Sequence, residues 1–276
     1  ARCRGSTMLN FKNKIVVKRI VWICLMAGTL FVFSGCNWYF GKEGLREETH
    51  TGTNRTLVIF MPPIHGKGLE YEKQGFIQAV RERGFEANLK ILDVNPFLYL
   101  KSRIIDLLKT EVVDPAKAEG YDTIILFGIS MGGHGALLYL TKYPEDVDGV
   151  VVFAPFLAGP MVVKEIEKAG GLDTWKNCPF FSWDYACSLW VLLKDFTSDP
   201  EKRKRIILGY GAEDSFSTRN RLLAQTLPRE NVFTVSGGHD WVTWKGLWIR
   251  ALDHFHVRCR PEGKGFCFIK EATLSD

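Results

Sequence analysis

Residues 123–132 read TIILFGISMG, and this run predicts a buried strand that turns directly into a helix. Its first five residues are apolar or β-branched, which is typical of a strand covered on both faces. Gly128 and Gly132 flank Ser130 at two residues on either side, and residues 133–142 continue with a helical pattern. Because glycine at both positions leaves room for a crossing chain, we expect Ser130 to stand on a tight strand–turn–helix corner.

The same alternation extends from Thr56 to the end of a last helix. Short apolar runs alternate with longer amphipathic segments, which predicts an α/β fold with a doubly wound, mostly parallel sheet covered on both faces. The helix over residues 99–113 is expected to stop before Pro115. The predicted strands are 57–61, 88–92, 123–127, 149–153, 205–210 and 231–235, and the other predicted helices are 71–83, 133–142, 218–227 and 244–256.

One segment interrupts this alternation. Residues 155–204, about 50 in all, separate two predicted strands and are too many for a structureless loop. We interpret the segment as a small helical cap inserted over the carboxyl edge of the sheet. A packing insert that does not contact a ligand is the alternative. The segment contains a group of four aromatic residues, Phe180, Phe181, Trp183 and Tyr185.

The positive charge of the chain is concentrated at its N-terminus. Residues 1–36 hold six of the 36 basic residues and no acidic one, so the remaining 30 basic residues face 31 acidic ones. The composition therefore does not indicate a nucleic-acid-binding domain. An apolar run, Ile20–Phe33, follows the basic residues and leads through two small residues to Cys36. This order is typical of a secretory signal.

The end of this segment, Phe33-Ser34-Gly35-Cys36, resembles the lipobox of bacterial lipoproteins, in which the cysteine is lipidated. It predicts export and a lipid anchor on Cys36, with the domain facing the periplasm. An uncleaved anchor helix is one alternative, although the apolar run is shorter than the about 20 residues of a span. Cleaved secretion is the other alternative. Asn37 is not the Asp that retains enterobacterial lipoproteins in the inner membrane, so the resemblance favours the outer membrane.

Two segments flank the predicted domain of residues 56–258. Residues 37–55 are polar and aperiodic, and we predict that they form a tether between the membrane and the domain. Residues 259–276 form a C-terminal tail.

Four cysteines beyond Cys36 fall into two local pairs, Cys178 with Cys187 and Cys259 with Cys267. An oxidising compartment would permit two short-loop disulfides, one of which would close the tail, and four separate thiols are the alternative. Neither pair has zinc-site spacing, and no cofactor or metal is predicted.

Two residues downstream complete a constellation with Ser130. Asp214 and His239 each lie just past a predicted strand. Because the carboxyl ends of parallel strands share one edge of the sheet, we expect the three side chains to lie together there. Serine, acid and histidine in this order predict a nucleophile, an orienting acid and a base. Glu213 is the alternative acid, and a serine that only caps the following helix is the alternative for the glycine–serine pattern.

This arrangement predicts acyl chemistry. His239 would take the proton of Ser130, whose oxygen attacks a carbonyl and forms an acyl-enzyme that water then hydrolyses. The oxyanion requires two backbone donors. The N–H of Met131 is expected to be one, and the loop of residues 62–67 is expected to supply the other. We favour Lys67 over the remaining candidates in that loop, Ile64 and His65, since the two prolines have no N–H.

Residues 128–138, GISMGGHGALL, resemble the corresponding corner of α/β-hydrolase esterases, including the esterase D-like group. His239-Asp240-Trp241 and Trp244 are similar to the histidine segment of that group. The likeness covers Thr56 to Phe255 and implies the α/β-hydrolase fold and a carboxylesterase-like activity on a small acyl ester. It departs in the loop after the first strand, where Met-Pro-Pro precedes His-Gly. Acyl transfer, thioester hydrolysis and peptide hydrolysis on the same three residues, and a non-catalytic binding protein with this fold, are the alternatives.

Overall fold

The computed structural model describes residues 45–64, 67–95, 98–99, 103–176 and 185–258. By internal packing the chain divides into two units, residues 1–44 and Leu45–Asp276, and every described residue belongs to the second. Within the described ranges, no helix is both long and apolar enough to cross a membrane. The predicted signal segment with Cys36, the tail, and the aromatic residues Phe180, Phe181 and Trp183 lie outside the described residues.

In the described part of the chain, seven strands form one sheet, and helices pack against both of its faces. The strands are β1 Arg46–His50, β2 Thr56–Met61, β3 Asn88–Asp93, β4 Thr123–Ile129, β5 Gly149–Phe153, β6 Ile206–Gly211 and β7 Val232–Val235. Their order is β1-β3-β2-β4-β5-β6-β7. Each neighbouring pair is parallel except β1 with β3, which is antiparallel. The predicted doubly wound, mostly parallel sheet is confirmed.

The helices of the described residues alternate with the strands. They are α1 Leu69–Lys73, α2 Phe76–Glu82, α3 Arg103–Leu107, a π-helix Leu108–Val113, α4 Asp114–Glu119, α5 Met131–Lys142, α6 Pro160–Lys168, α7 Tyr185–Ser198, α8 Ser217–Ala224 and α9 Trp241–Arg258. Short 3₁₀ turns at Lys202–Arg205 and Arg229–Asn231 lead into β6 and β7.

The core lies in two layers, one on each face of the sheet. Side chains along a strand alternate between faces, so Leu57 and Ile59 of β2 belong to one layer and Val58 and Phe60 to the other. Both sets are buried, which explains why the strand reads as an unbroken apolar run.

The helix predicted over residues 71–83 is two helices. Gly75 has a φ of +73°, a left-handed conformation that interrupts the helical path between α1 and α2. Glycine adopts this conformation without a steric penalty, which is why the break falls there.

The predicted helix end before Pro115 is wrong, because the chain stays helical as far as Glu119. A proline ring clashes with the carbonyl four residues earlier in an α-helix. The π-helical turn Leu108–Val113 lies directly before the proline and has a wider hydrogen-bonded ring. That local widening accommodates Pro115, and the helix resumes as α4.

The predicted tether over residues 37–55 is wrong for Arg46–His50, which form the edge strand β1. Arg46 pairs with Asp93 and His50 with Leu89 across the antiparallel ladder. The folded domain therefore begins at Leu45 rather than at Thr56. The strand is polar because it lies at the edge of the sheet, where charged side chains are common.

The predicted cap over residues 155–204 is also wrong for α7, although the segment is helical as expected. Trp190 and Leu193 of α7 are fully buried in the same core layer as Leu137 of α5. Since β5 and β6 are parallel neighbours, the chain must cross a face of the sheet to join them. Helix α7 therefore belongs to the layer that covers the sheet and does not form a cap over its edge.

One of the predicted disulfide cysteines is described. Cys187 is buried in α7 and is disulfide-bonded. Cys178, Cys259 and Cys267 lie outside the described residues, so both pairings stay predictions.

Candidate active site

Ser130 stands at the corner between β4 and α5 with a φ of 54° and a ψ of −112°. A positive φ is strained for a residue with a side chain and persists only where surrounding contacts enforce it. Three backbone hydrogen bonds do so here. The N–H of Ser130 donates to the carbonyl of Phe153 at 2.9 Å, and its own carbonyl accepts from the N–H groups of His134 and Phe156, both at 3.0 Å.

The flanking glycines make this corner possible through close backbone contacts. A Cβ on Gly132 would lie 2.0 Å from the carbonyl oxygen of Met61, the last residue of β2. A Cβ on Gly128 would lie 2.4 Å from the carbonyl carbon of Gly132. No side chain fits at these distances, so the Gly-x-Ser-x-Gly spacing is a packing requirement of the corner.

The structure brings Ser130, His239 and Asp214 together in one hydrogen-bonded chain. Nε2 of His239 lies 3.0 Å from Oγ of Ser130, and Nδ1 lies 2.8 Å from Oδ2 of Asp214. A carboxylate only accepts hydrogen bonds, so Nδ1 carries the proton and Nε2 accepts from the serine hydroxyl. Ser130 and Asp214 are buried, whereas the side chain of His239 is 26% exposed. The histidine therefore faces the opening of the site.

Asp214, rather than Glu213, meets the histidine. Its other carboxylate oxygen, Oδ1, accepts the N–H of Phe216 at 2.7 Å, which fixes the orientation of the group. The carboxylate of Glu213 instead accepts the N–H of Gly237, in the loop that carries His239. The N–H of Glu213 also donates to the carbonyl of Gly237 at 3.1 Å. The two adjacent acids thus differ in task, since one binds the imidazole and the other binds its loop.

Two aromatic rings contact the imidazole. The ring of Phe216 lies 4.7 Å from that of His239, and the ring of Trp244 lies 4.9 Å away at 89°. Sequence reasoning missed Phe216, although its position two residues after Asp214 places it at the same edge of the sheet. Trp244 is buried as well as in contact with the histidine.

Asp240, next to the histidine, caps α9. Its Oδ1 accepts the N–H of Thr243 at 2.9 Å. This hydrogen bond is the main reason why the pKa of Asp240 lies below its usual value. The cap fixes the start of α9 immediately after His239.

The loop after β2 is held by two buried tyrosines. The hydroxyl of Tyr71 donates to the carbonyl of Met61 at 2.8 Å, and that of Tyr99 donates to the carbonyl of Pro62 at 3.3 Å. Burial raises the pKa of both hydroxyls, so they remain protonated donors. The carbonyls at the start of the loop are therefore fixed by hydrogen bonds.

The two predicted oxyanion donors occupy different surroundings. Met131 is buried at the start of α5, directly after Ser130. Lys67 is exposed, and its carbonyl accepts the N–H of Glu70 at the start of α1. No hydrogen bond among the described residues joins Lys67 to Ser130 or His239, and His65 lies outside the described residues. Both donor assignments stay predictions.

A family model described as "Putative esterase" matches residues 28–255, most of the chain. The chain belongs to the esterase family. Membership in this family supports ester hydrolysis by an α/β hydrolase and confirms the resemblance inferred from the sequence. A search of curated proteins finds no match to this esterase.

Solved structures with the same fold have low sequence identity to this esterase. A ferulic acid esterase is 14% identical with a TM-score of 0.51, over 78% of this chain and 98% of its own. An S-formylglutathione hydrolase from Staphylococcus aureus is 14% identical with a TM-score of 0.51, over 74% and 82%. An α/β hydrolase from a sediment metagenome of the Mar Chica lagoon, Morocco, is 18% identical with a TM-score of 0.51, over 78% and 96%. These likenesses establish the α/β-hydrolase fold.

Proposed function

We propose that this protein hydrolyses carboxylic esters with Ser130 as nucleophile, His239 as general base and Asp214 as the acid that orients the base. One observation carries the proposal. A buried serine in a strained backbone conformation donates to a histidine at 3.0 Å, which in turn donates to a buried carboxylate at 2.8 Å. This combination of distances, order and strain matches the requirements of an activated serine.

The reaction follows from the protonation states of the three groups. The hydroxyl proton of Ser130 moves to Nε2 of His239 as Oγ attacks the ester carbonyl, and Asp214 stabilises the resulting imidazolium. The imidazolium then gives this proton to the departing alcohol, which leaves the acyl group on Oγ. A water molecule attacks the acyl-enzyme with His239 again as base, and the carboxylic acid and free Ser130 are released.

The negative charge that develops on the carbonyl oxygen requires backbone donors. We assign the N–H of Met131 as one of them, because it follows Ser130 at the N-terminus of α5, where the helix dipole favours an anion. For the second we keep Lys67 in the loop after β2. Losing one such donor typically lowers the rate by about 10²–10³.

Aromatic substituents on the ester suit the surroundings of the site, where the guanidinium of Arg219 lies 4.4 Å over the ring of Phe216. The rings of Phe156 and Phe216 lie 5.7 Å apart. The backbone N–H of Phe156 donates to the carbonyl of Ser130, and that of Phe216 donates to the carboxylate of Asp214. One similar structure is that of a ferulic acid esterase, so an aromatic acyl group belongs in the first substrate panel. The panel also includes thioesters, which would form the same acyl-enzyme, and an added alcohol, which could accept the acyl group from it.

The proposal is tested with the full chain and its Ser130→Ala variant on short-chain p-nitrophenyl esters. The wild type is expected to cleave them, and Ser130→Ala to lose roughly 10⁶-fold or fall to background. A fluorophosphonate probe should label Ser130 in the wild type. Ser198→Ala is the control, because the hydroxyl of Ser198 is bonded to the carbonyl of Asp195 on the surface. Equal rates or equal labelling in wild type and Ser130→Ala would show that Ser130 is not the nucleophile.

We further propose that the enzyme is exported and attached to a membrane through a lipid on Cys36. The support is the order of basic residues, apolar run, small residues and cysteine in residues 12–36. Labelled palmitate supplied to bacterial cells that produce the full chain should be incorporated, and Cys36→Ala should abolish incorporation while Cys24→Ala should not. Equal incorporation into Cys36→Ala would refute the anchor.

A further inference from the structure

Three metal-ligating side chains meet at the β1 edge of the sheet. Glu48 and His50 come from β1 and Glu72 from α1, and one ligand atom of each lies within 4.8 Å of the others. Nε2 of His50 is 3.7 Å from Oε1 of Glu48. Ligands that bind zinc at about 2.0–2.1 Å in tetrahedral geometry lie roughly 3.3 Å apart. Small side-chain rotations therefore convert this cluster into a coordination set.

The strand register explains why the three residues converge. Glu48 lies opposite Ile91 of β3, and His50 lies opposite Leu89. Directly opposed residues project to the same face, and both partners belong to the core layer that α1 and α2 cover. A Cβ on Gly68, the residue before α1, would lie 2.8 Å from the side chain of Ile91. Helix α1 therefore begins over this part of the sheet, within reach of both β1 side chains.

The surroundings of His50 add a further observation. Its Nε2 atom is buried and makes no hydrogen bond within the described residues, although the side chain as a whole is 23% exposed. Buried polar atoms are normally satisfied, so this nitrogen requires an explanation. The backbone around it is well held, since the guanidinium of Arg81 donates to the carbonyls of His50 and Thr51. An orphaned imidazole nitrogen beside two carboxylates is the arrangement that a metal ion satisfies.

We propose that Glu48, His50 and Glu72 bind a zinc ion that joins β1 to α1. An imidazole nitrogen with two carboxylates suits zinc, whereas calcium and magnesium prefer all-oxygen sets. The two carboxylates balance the charge of the ion, and a water molecule completes four-coordination. The site is separate from the triad, because β1 is at one end of the strand order and β7, which His239 follows, is at the other. The ion would stabilise an edge strand, and it takes no part in ester hydrolysis.

A metal site was not expected from the sequence. Glu48 and His50 were assigned to a tether, and Glu72 is distant from them in the sequence. The pairing of β1 with β3, together with the packing of the start of α1 on Ile91 of β3, places the three residues together.

Isothermal titration of zinc chloride into the chelator-treated full chain tests the proposal. The wild type is expected to show one binding event that His50→Ala and Glu72→Gln weaken by at least about tenfold. Glu47→Gln is the matched control, because Glu47 is on the same strand but pairs with Lys90 on the other face, at 3.1 Å. Zinc should also raise the melting temperature of the wild type and of Glu47→Gln but not of the other two variants. Melting curves without zinc verify that each variant folds.

Two results would overturn the zinc site. One is the absence of zinc binding by the wild type, and the other is binding by His50→Ala and Glu72→Gln with wild-type affinity, which would assign the metal to cysteines or histidines elsewhere. Esterase activity of the zinc-loaded and zinc-free wild type is expected to be equal. The outcome for zinc is therefore independent of the outcome for Ser130.

Discussion

Oδ2 of Asp214 lies 2.8 Å from Nδ1 of His239, and the Asp214 side chain has no exposed surface. Its remaining oxygen is occupied by the N–H of Phe216. The carboxylate is therefore oriented by the backbone on one side and orients the imidazole on the other. This relationship decides which of two adjacent acids takes part in the proposed reaction.

Asp214→Asn is expected to lower kcat by about 10⁴, because the amide stabilises the wrong imidazole tautomer. Glu213→Gln should lower it far less, since Glu213 binds the backbone of Gly237 and not the imidazole. The measurement is steady-state hydrolysis of a p-nitrophenyl ester by both variants. A larger loss in Glu213→Gln than in Asp214→Asn would reverse the assignment.

Gly132→Ala is expected to lower the free energy of unfolding by about 1–3 kcal/mol or more, because its Cβ would meet the carbonyl of Met61 at 2.0 Å. Gly246→Ala is the matched control, since Gly246 lies within α9 and its Cβ would meet nothing within 4 Å. It should stabilise the protein by roughly 0.5–1 kcal/mol. Urea denaturation of both variants measures the difference. Destabilisation of the same size at both positions would contradict this account of the corner.

Trp190→Ala is expected to lower the free energy of unfolding by about 3–5 kcal/mol, because Trp190 is fully buried and its indole N–H donates to the carbonyl of Leu157 at 2.5 Å. Leu192→Ala, on the same helix but 37% exposed, should change it by less than about 1 kcal/mol. If α7 were a cap, Trp190→Ala would change substrate preference while leaving stability near that of the wild type. Thermal and urea unfolding, with a panel of acyl chain lengths, separate these outcomes.

Asp146 should make a pH-dependent contribution to stability. Burial by itself raises the pKa of this carboxyl, but hydrogen bonds from Lys109 and Lys117, at 2.7 and 2.8 Å, outweigh it and lower the pKa below its usual value. Since the folded pKa is below the unfolded one, the contribution is complete above the unfolded pKa of about 3.9 and is lost as the pH falls through the folded pKa.

Asp146→Asn is therefore expected to lower the free energy of unfolding by about 1–3 kcal/mol at pH 7. The difference from the wild type should shrink as the pH falls below about 4, where the carboxylate becomes protonated. Urea titrations of both proteins across this range measure it. A difference that stays constant with pH would mean that the ion pairs do not provide the stability.

The strands and the serine corner were predictable because their causes are local. A strand covered on both faces is apolar over most of its length, as Ile124–Phe127 of β4 are. A corner that packs this closely on the backbone of Met61 must have glycine two residues from Ser130. Asp214 and His239 were predictable as neighbours of Ser130 from a single rule, namely that the carboxyl ends of parallel strands share one edge. The order of the three residues along the chain, serine then acid then histidine, indicated the role proposed for each.

Other features depend on partners that are distant in the sequence. The polar residues of β1 form a strand only because β3 presents an open edge. Helix α7 lies in the helical layer that covers the sheet because β5 and β6 are parallel neighbours. The sequence by itself determined the alternating fold, because the periodicity of apolar residues reports which faces of strands and helices are buried. It also determined the three residues at the carboxyl edge of the sheet, because each lies just past a predicted strand. Only the tertiary structure decided which acid meets His239, which rings contact it and how His50 reaches Glu72, because those contacts depend on the relative placement of separate elements.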